Sequence, residues 1–161
     1  MPAYPTLSTR VIGQVEKTLN AILCRQLAGT GLTEAQWVIL TLAVTAGGTA
    51  ERDRLTRMAG DALKISQEEA KTCIGDMVTA QHLQITGNGS AVKVTAAALD
   101  LHSQIRTAVT SITDRLWGDL PAEDLATAGR ILAIVTERAN AELTPEAAGA
   151  GSEGILGADR L

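Results

Sequence analysis

The side chains that could make or break covalent bonds are few and scattered. His82 and His102 are the only histidines, and Cys24 and Cys73 the only cysteines. Zinc sites draw ligands from short, recognisable spacings, and no His, Cys or carboxylate cluster here has one. There is no G-x-S-x-G elbow, no phosphate-cradling glycine loop and no nucleophile with an evident base. An enzyme is therefore the weakest reading, and no cofactor or metal is expected. The dense polar chemistry is non-covalent. Ser66-Gln67-Glu68-Glu69-Ala70-Lys71-Thr72 sets hydroxyl, amide, carboxylate and ammonium groups within two helical turns. Ser66 stands three residues before Glu69, the capping-box spacing.

The elements that hold this run follow from periodicity. Its helix, Ser66 to about His82, carries Ala70, Cys73, Ile74, Met77 and Val78 on one face at spacings of three and four. His82 reads as a helix-end histidine. Downstream, Leu83–Thr86 and Ala91–Thr95 favour strand and flank Gly87-Asn88-Gly89-Ser90. Asn-Gly between such runs signals a tight hairpin, because both central residues must adopt positive φ. Upstream, a helix from Glu51 to Leu63 with Leu55, Met58, Ala59 and Ala62 inward precedes the turn at Lys64-Ile65. Before it, the capping box Thr33-Glu34-Ala35-Gln36 opens a helix carrying Trp37, Val38, Leu40, Leu42 and Val44, closed by Gly47-Gly48. Helix, turn, helix and hairpin make a winged helix over residues 33–95.

Long helices flank it. Ser8 to Ala28 repeats Val11, Ile12, Val15, Leu19, Ile22, Leu23 and Leu27. Ala96 to Trp117 carries Leu101, Ile105, Ala108 or Val109, Ile112 and Leu116. Pro121 suits the first turn of a last helix, Ala122 to Leu143, with Leu125, Ala128, Leu132, Val135 and Ala139. Ile131 and Ile134 widen that stripe. The composition then shifts to Gly, Ala and Glu, so residues 144–161 read as a disordered tail. The fold class is mainly α with a small β-hairpin wing: one domain, residues 1–143, in which segments 8–28 and 96–143 serve dimerisation. A winged helix of this size does not need that much extra apolar surface for its own core, so the stripes most simply pack on one another and on a second copy.

Composition agrees with packed helices. The apolar share is 45%, with 2% aromatic and no Phe, so Leu, Ile, Val and Ala must fill the core. The cysteines, each on an apolar helix face, read as two small buried hydrophobes. No apolar run is long enough to span a membrane, and the N-terminus lacks the zones of a signal peptide, which points to a cytoplasmic protein. The formal net charge is −4 and the pI about 5.2, no signature of a nucleic-acid binder, although local patches outweigh the total.

Leu32-Thr33-Glu34-Ala35-Gln36-Trp37-Val38-Ile39-Leu40 resembles the L-T-x-x-Q-[FW]-x-x-L helix of the MarR family of winged-helix transcription regulators. Ser66 to His82 falls where that family has its recognition helix and Leu83 to Thr95 where it has its wing. Val94-Thr95-Ala96-Ala97-Ala98 resembles its step into the dimerisation helix, and Leu120-Pro121-Ala122-Glu123-Asp124-Leu125 the start of its last helix. The resemblance implies a homodimer on a pseudo-palindromic DNA operator, usually a repressor released by a small aromatic ligand. It places Gln67, Lys71 and Thr72 toward base edges, where Gln suits adenine and Lys guanine. Glu68 and Glu69 would accept from cytosine N4, though Glu69 is better explained as the cap. Ser66 joins them at the helix start, where backbone N–H groups favour phosphate. Arg52, Arg54, Arg57 and Lys64 are placed toward the backbone, and Asn88, Ser90 and Lys93 on the wing. Tyr4, Trp37 and Trp117 are the only aromatics on which a ligand could stack; Trp37 reads first as a core or dimer contact and otherwise as the ligand platform.

The chain departs from the family pattern in its wing. The Asp-x-Arg-x-x-Arg motif is replaced by Gly87-Asn88-Gly89-Ser90, which leaves Lys93 as the wing's only basic residue. From Glu51 to Thr95 six Lys and Arg face six Asp and Glu. Two readings follow: a DNA-binding regulator of modest, salt-sensitive affinity, or a degenerate winged-helix dimer that senses a ligand or binds a protein.

Overall fold

A computed structural model describes residues 4–144. The chain divides into two compact units, with the break between Thr113 and Asp114. The elements in chain order are α1 (Thr9–Leu27), α2 (Glu34–Thr45), β1 (Thr49–Glu51), α3 (Arg52–Leu63), α4 (Gln67–Thr79), β2 (Leu83–Thr86), β3 (Ala91–Val94), α5 (Ala96–Trp117) and α6 (Ala122–Glu142). The residues read as a disordered tail lie outside the described residues, apart from Thr144.

Helix starts are set by local chemistry. The first N–H groups of a helix have no partner within it, and here side-chain oxygens take that role. Ser8 accepts from Val11 N. Thr33 and Gln36 form a reciprocal box at 3.1 and 3.2 Å, as do Ser66 and Glu69. Thr95 accepts from Ala98 N at 3.2 Å to open α5.

The core of the first unit lies where α2, α3, α4 and the sheet meet. Ile39, Leu40, Leu55, Ile74, Met77, Leu83, Val92 and Val94 are its large buried side chains. Ala43, Ala59, Ala70 and Ala98 are buried among them and allow close backbone approach. Two helix faces differ from those expected. On α2, Ile39 and Ala43 are buried, while Trp37, Val38, Leu42 and Val44 are half-buried. That helix is apolar all round, so spacing cannot select its inward face. On α3, Thr56 and Gly60 are buried in place of Met58 and Ala62. Thr56 tolerates this because its hydroxyl donates to the Arg52 carbonyl at 2.8 Å. The cysteines also differ from expectation: Cys24 is exposed and Cys73 only partly buried. Cys24 sits on the polar side of α1, its Sγ 3.6 Å from Asn20 Oδ1.

The sheet has three strands, not two. β3 is central, with β1 and β2 antiparallel on either side. The register pairs Leu83 with Val94 and Thr86 with Ala91 on one side, and Thr49 with Lys93 on the other. Four residues join β2 to β3, and three in succession adopt positive φ, Gly87 (58°), Asn88 (59°) and Gly89 (89°), so the Asn-Gly pair lies within a longer loop than the two-residue turn. α4 ends at Thr79, earlier than expected. Gln81 takes the left-handed position (φ 62°), and His82 N donates to the Met77 carbonyl at 2.9 Å. These are the bonds of a Schellman cap, formed around Gln instead of Gly.

The second unit contains α6. Leu125, Ile131, Leu132, Ile134 and Val135 along it are each between 36 and 40% exposed.

Candidate nucleic-acid interface

α3 and α4 meet through a tight turn. Lys64 adopts left-handed φ/ψ (55°, 42°), and its N–H is donated to the Gly60 carbonyl. Gly60 has a second role. A Cβ at that position would stand 2.6 Å from Gln67 Nε2 and 3.3 Å from the Ile65 carbonyl oxygen. The missing side chain lets the Gln67 amide fold back over the C-terminal half of α3.

Ala70, Ile74 and Met77 bury one face of α4, so its other face presents Gln67, Glu68, Lys71 and Thr72 to solvent. Most polar groups at its start are already engaged. The Ser66 hydroxyl donates to Glu69 Oε2 at 2.8 Å, and Ser66 N donates to the same oxygen at 2.9 Å. These bonds hold the Glu69 carboxyl below the usual carboxylate range. Thr72 Oγ1 donates to the Glu68 carbonyl at 3.0 Å. Lys71 Nζ lies 3.3 Å from Glu68 Oε1.

The other predicted site residues surround this face. Asp53, Thr56, Arg57, Asp61, Gln67 and Lys71 line a cleft of about 500 Å³ between α3 and α4. A second cleft, about 340 Å³, joins it to the wing through Glu51, Arg52, Asp53, Lys71, Gly89 and Ser90. The Arg52 N–H donates to the Ser90 carbonyl at 2.8 Å, tying the start of α3 to the wing. Lys71 borders both clefts, while Asp53 and Asp61 bring negative charge into them. Arg54, Arg57 and Lys64 are exposed, as are Asn88 at the wing tip and Lys93 on β3. Ser90 Oγ is used locally, donating to the Gly87 carbonyl at 2.6 Å.

Trp37 stacks on His102, with ring centroids 4.9 Å apart and planes 22° from parallel. His102 Nε2 lies 3.4 Å from Thr41 Oγ1. His102 is 4% exposed, and burial, then the charge of Arg106, pushes its pKa down. The sequence reading placed His102 beside the inward stripe of α5; the structure places it on that stripe. The series Ala98, His102, Ile105 and Val109 at spacings of four, three and four carried the signal. Partial burial, then Asp76, raises the Cys73 pKa, so this thiol is not the low-pKa thiolate that redox chemistry needs.

No family model matches the sequence, and no curated protein does. Solved structures do. AbsC, a MarR family transcriptional regulator from Streptomyces coelicolor, superposes with a TM-score of 0.67 at 18% identity, covering 86% of this chain and 99% of that one. The chain has the MarR-like winged-helix fold. A mutant MarR from E. coli complexed with operator DNA has a TM-score of 0.63 at 20% identity, covering 78% of this chain and 91% of that one. Organohalide-sensing RdhR in its 2,4-dichlorophenol-bound form gives 0.65 at 14% identity, with 86% and 88% covered. In a MarR-like frame, α3 and α4 form the helix-turn-helix and β2–β3 the wing.

Proposed function

We propose that this chain is a homodimeric, DNA-binding transcriptional regulator, a repressor relieved by a small aromatic ligand. The observation that carries the reading is the exposed polar face of α4, held rigid by Ala70, Ile74 and Met77 beneath it and by a complete capping box at its start. A solvated helix face anchored in this way fits the major groove. The neighbours include an operator complex and a dichlorophenol complex, which supports duplex DNA and an aromatic ligand as partners. Trp37 is the platform for that ligand. AbsC and RdhR are transcriptional regulators, in keeping with a non-catalytic role. Among the described residues no helix is long and apolar enough to cross a membrane. The aliphatic face of α6 is the surface for a second copy, which would set two copies of α4 along one duplex.

Fluorescence anisotropy with duplexes from the upstream region of its own gene tests the reading. Sequence-dependent binding that weakens steeply with salt is expected, because Lys and Arg displace counterions from phosphate. Light scattering should return twice the chain mass. Absence of selective binding at low salt removes the regulator reading. A second reading, a winged-helix dimer that binds a protein or ligand without DNA, is favoured by the cation-free wing tip and by Asp53 and Asp61 in the α3–α4 cleft. A stoichiometric protein partner together with no DNA affinity would establish it instead.

A further inference from the structure

Resting on the DNA-binding reading, we infer that Glu68 and Lys71 act as a pair that selects a C·G base pair in each half of the target duplex. The fold leaves few free groups on the exposed start of α4. Ser66 and Glu69 are consumed by the cap. The Thr72 hydroxyl is held by the Glu68 carbonyl. The Gln67 amide is exposed but turned back against Gly60. Glu68 and Lys71 remain, with side chains 86% and 53% exposed. They stand three residues apart on one helix face, which makes them direct neighbours.

Their 3.3 Å contact is an exposed ion pair. Such pairs contribute little to stability, so both groups are available to a stronger partner. Together they present an acceptor beside a cationic donor. In the major groove the C·G edge offers the complement. Cytosine N4 donates at one end, and guanine O6 and N7 accept at the other. The A·T edge does not. Its single donor, adenine N6, lies between the acceptors N7 and O4, so a carboxylate there faces lone pairs on both sides. The pair also avoids the penalty of a lone carboxylate at the duplex, because Lys71 offsets its charge toward the phosphates. This accounts for a negative residue on the reading face of a helix that must approach a polyanion.

The test is selection from a randomised duplex library, with the full-length protein and its Glu68→Ala, Glu68→Gln and Lys71→Ala variants. Far-UV circular dichroism confirms that each variant folds, as expected for exposed positions. Wild type should enrich C·G at one position in each half-site. Glu68→Ala should lose that preference by roughly tenfold while keeping or raising its affinity for the remaining site, and Glu68→Gln, whose amide matches adenine, should move the preference toward A·T. Lys71→Ala should lose the same preference and also bind more weakly overall. Enrichment of a site without C·G there, or C·G that survives Glu68→Ala, overturns the pair and leaves the regulator reading standing. A wild-type protein that enriches no sequence overturns both.

Discussion

His102 makes stability depend on pH in a way that can be traced to one side chain. It is buried between α5 and α2, stacked on Trp37, with Nε2 near Thr41 Oγ1. Burial, then the charge of Arg106, pushes its pKa below the ordinary histidine value. The folded protein therefore resists protonation that the unfolded chain accepts. The stabilisation is complete above pH 6.5 and is lost as pH falls from there toward the folded pKa. For one proton the slope is at most about 1.4 kcal/mol per pH unit. With a urea m-value of about 2 kcal/mol/M, one such unit moves the midpoint by at most about 0.7 M. Urea unfolding followed by circular dichroism at pH 5, 6, 7 and 8, at one fixed protein concentration, measures the slope. His102→Leu should flatten it, and the difference between the two proteins isolates this one side chain. An unchanged slope in His102→Leu would refute the assignment. A slope of opposite sign in wild type would show that the histidine is charged in the fold.

Three further outcomes are expected. Ile74→Ala empties a fully buried position under α4 and should cost about 2–5 kcal/mol, read as a loss of urea midpoint; a change below about 0.5 kcal/mol would show that α4 does not rest on this core. Ser66→Ala removes the acceptor for Glu69 N and a donor to its carboxylate, and should destabilise by about 1 kcal/mol. It should also weaken the dependence of stability on acid below pH 4.5, because the lowered Glu69 pKa means stability that is present above that pH and lost as pH falls. Asn88→Val places a β-branched residue at φ 59° and should cost about 1–2 kcal/mol, whereas Asn88→Gly should be close to neutral; equal effects would argue against the positive-φ turn.

Much of this architecture was legible before any coordinates. Ser8, Thr33 and Ser66 announce helix starts because a cap is a local event, decided by residues three apart. The Asn88-Gly89 turn announces its hairpin for the same reason, and the structure places β2 and β3 within one residue of the expected runs. The buried face of α4 was also readable, since its apolar residues alternate with charged ones. Other features depend on partners distant in sequence. β1 is three residues long and exists because Thr49–Glu51 lie alongside β3, some 40 positions later. Thr56 is buried, although polar, because the phase of α3 is set by what packs on it. Cys24 turned outward on α1 for the same reason.

At the site, the residue types of α4 were fixed by the chain, but their availability was not. Only the approach of α3 shows that Gln67 lies over Gly60, and only the cap geometry shows that Glu69 is spent while Glu68 is free to meet Lys71. His102 likewise became a core residue when α5 packed on Trp37. Periodicity supplies the spacing of side chains along an element. Which side faces inward, and which polar groups remain for a partner, is set by contacts between elements, whose free energy no single segment contains.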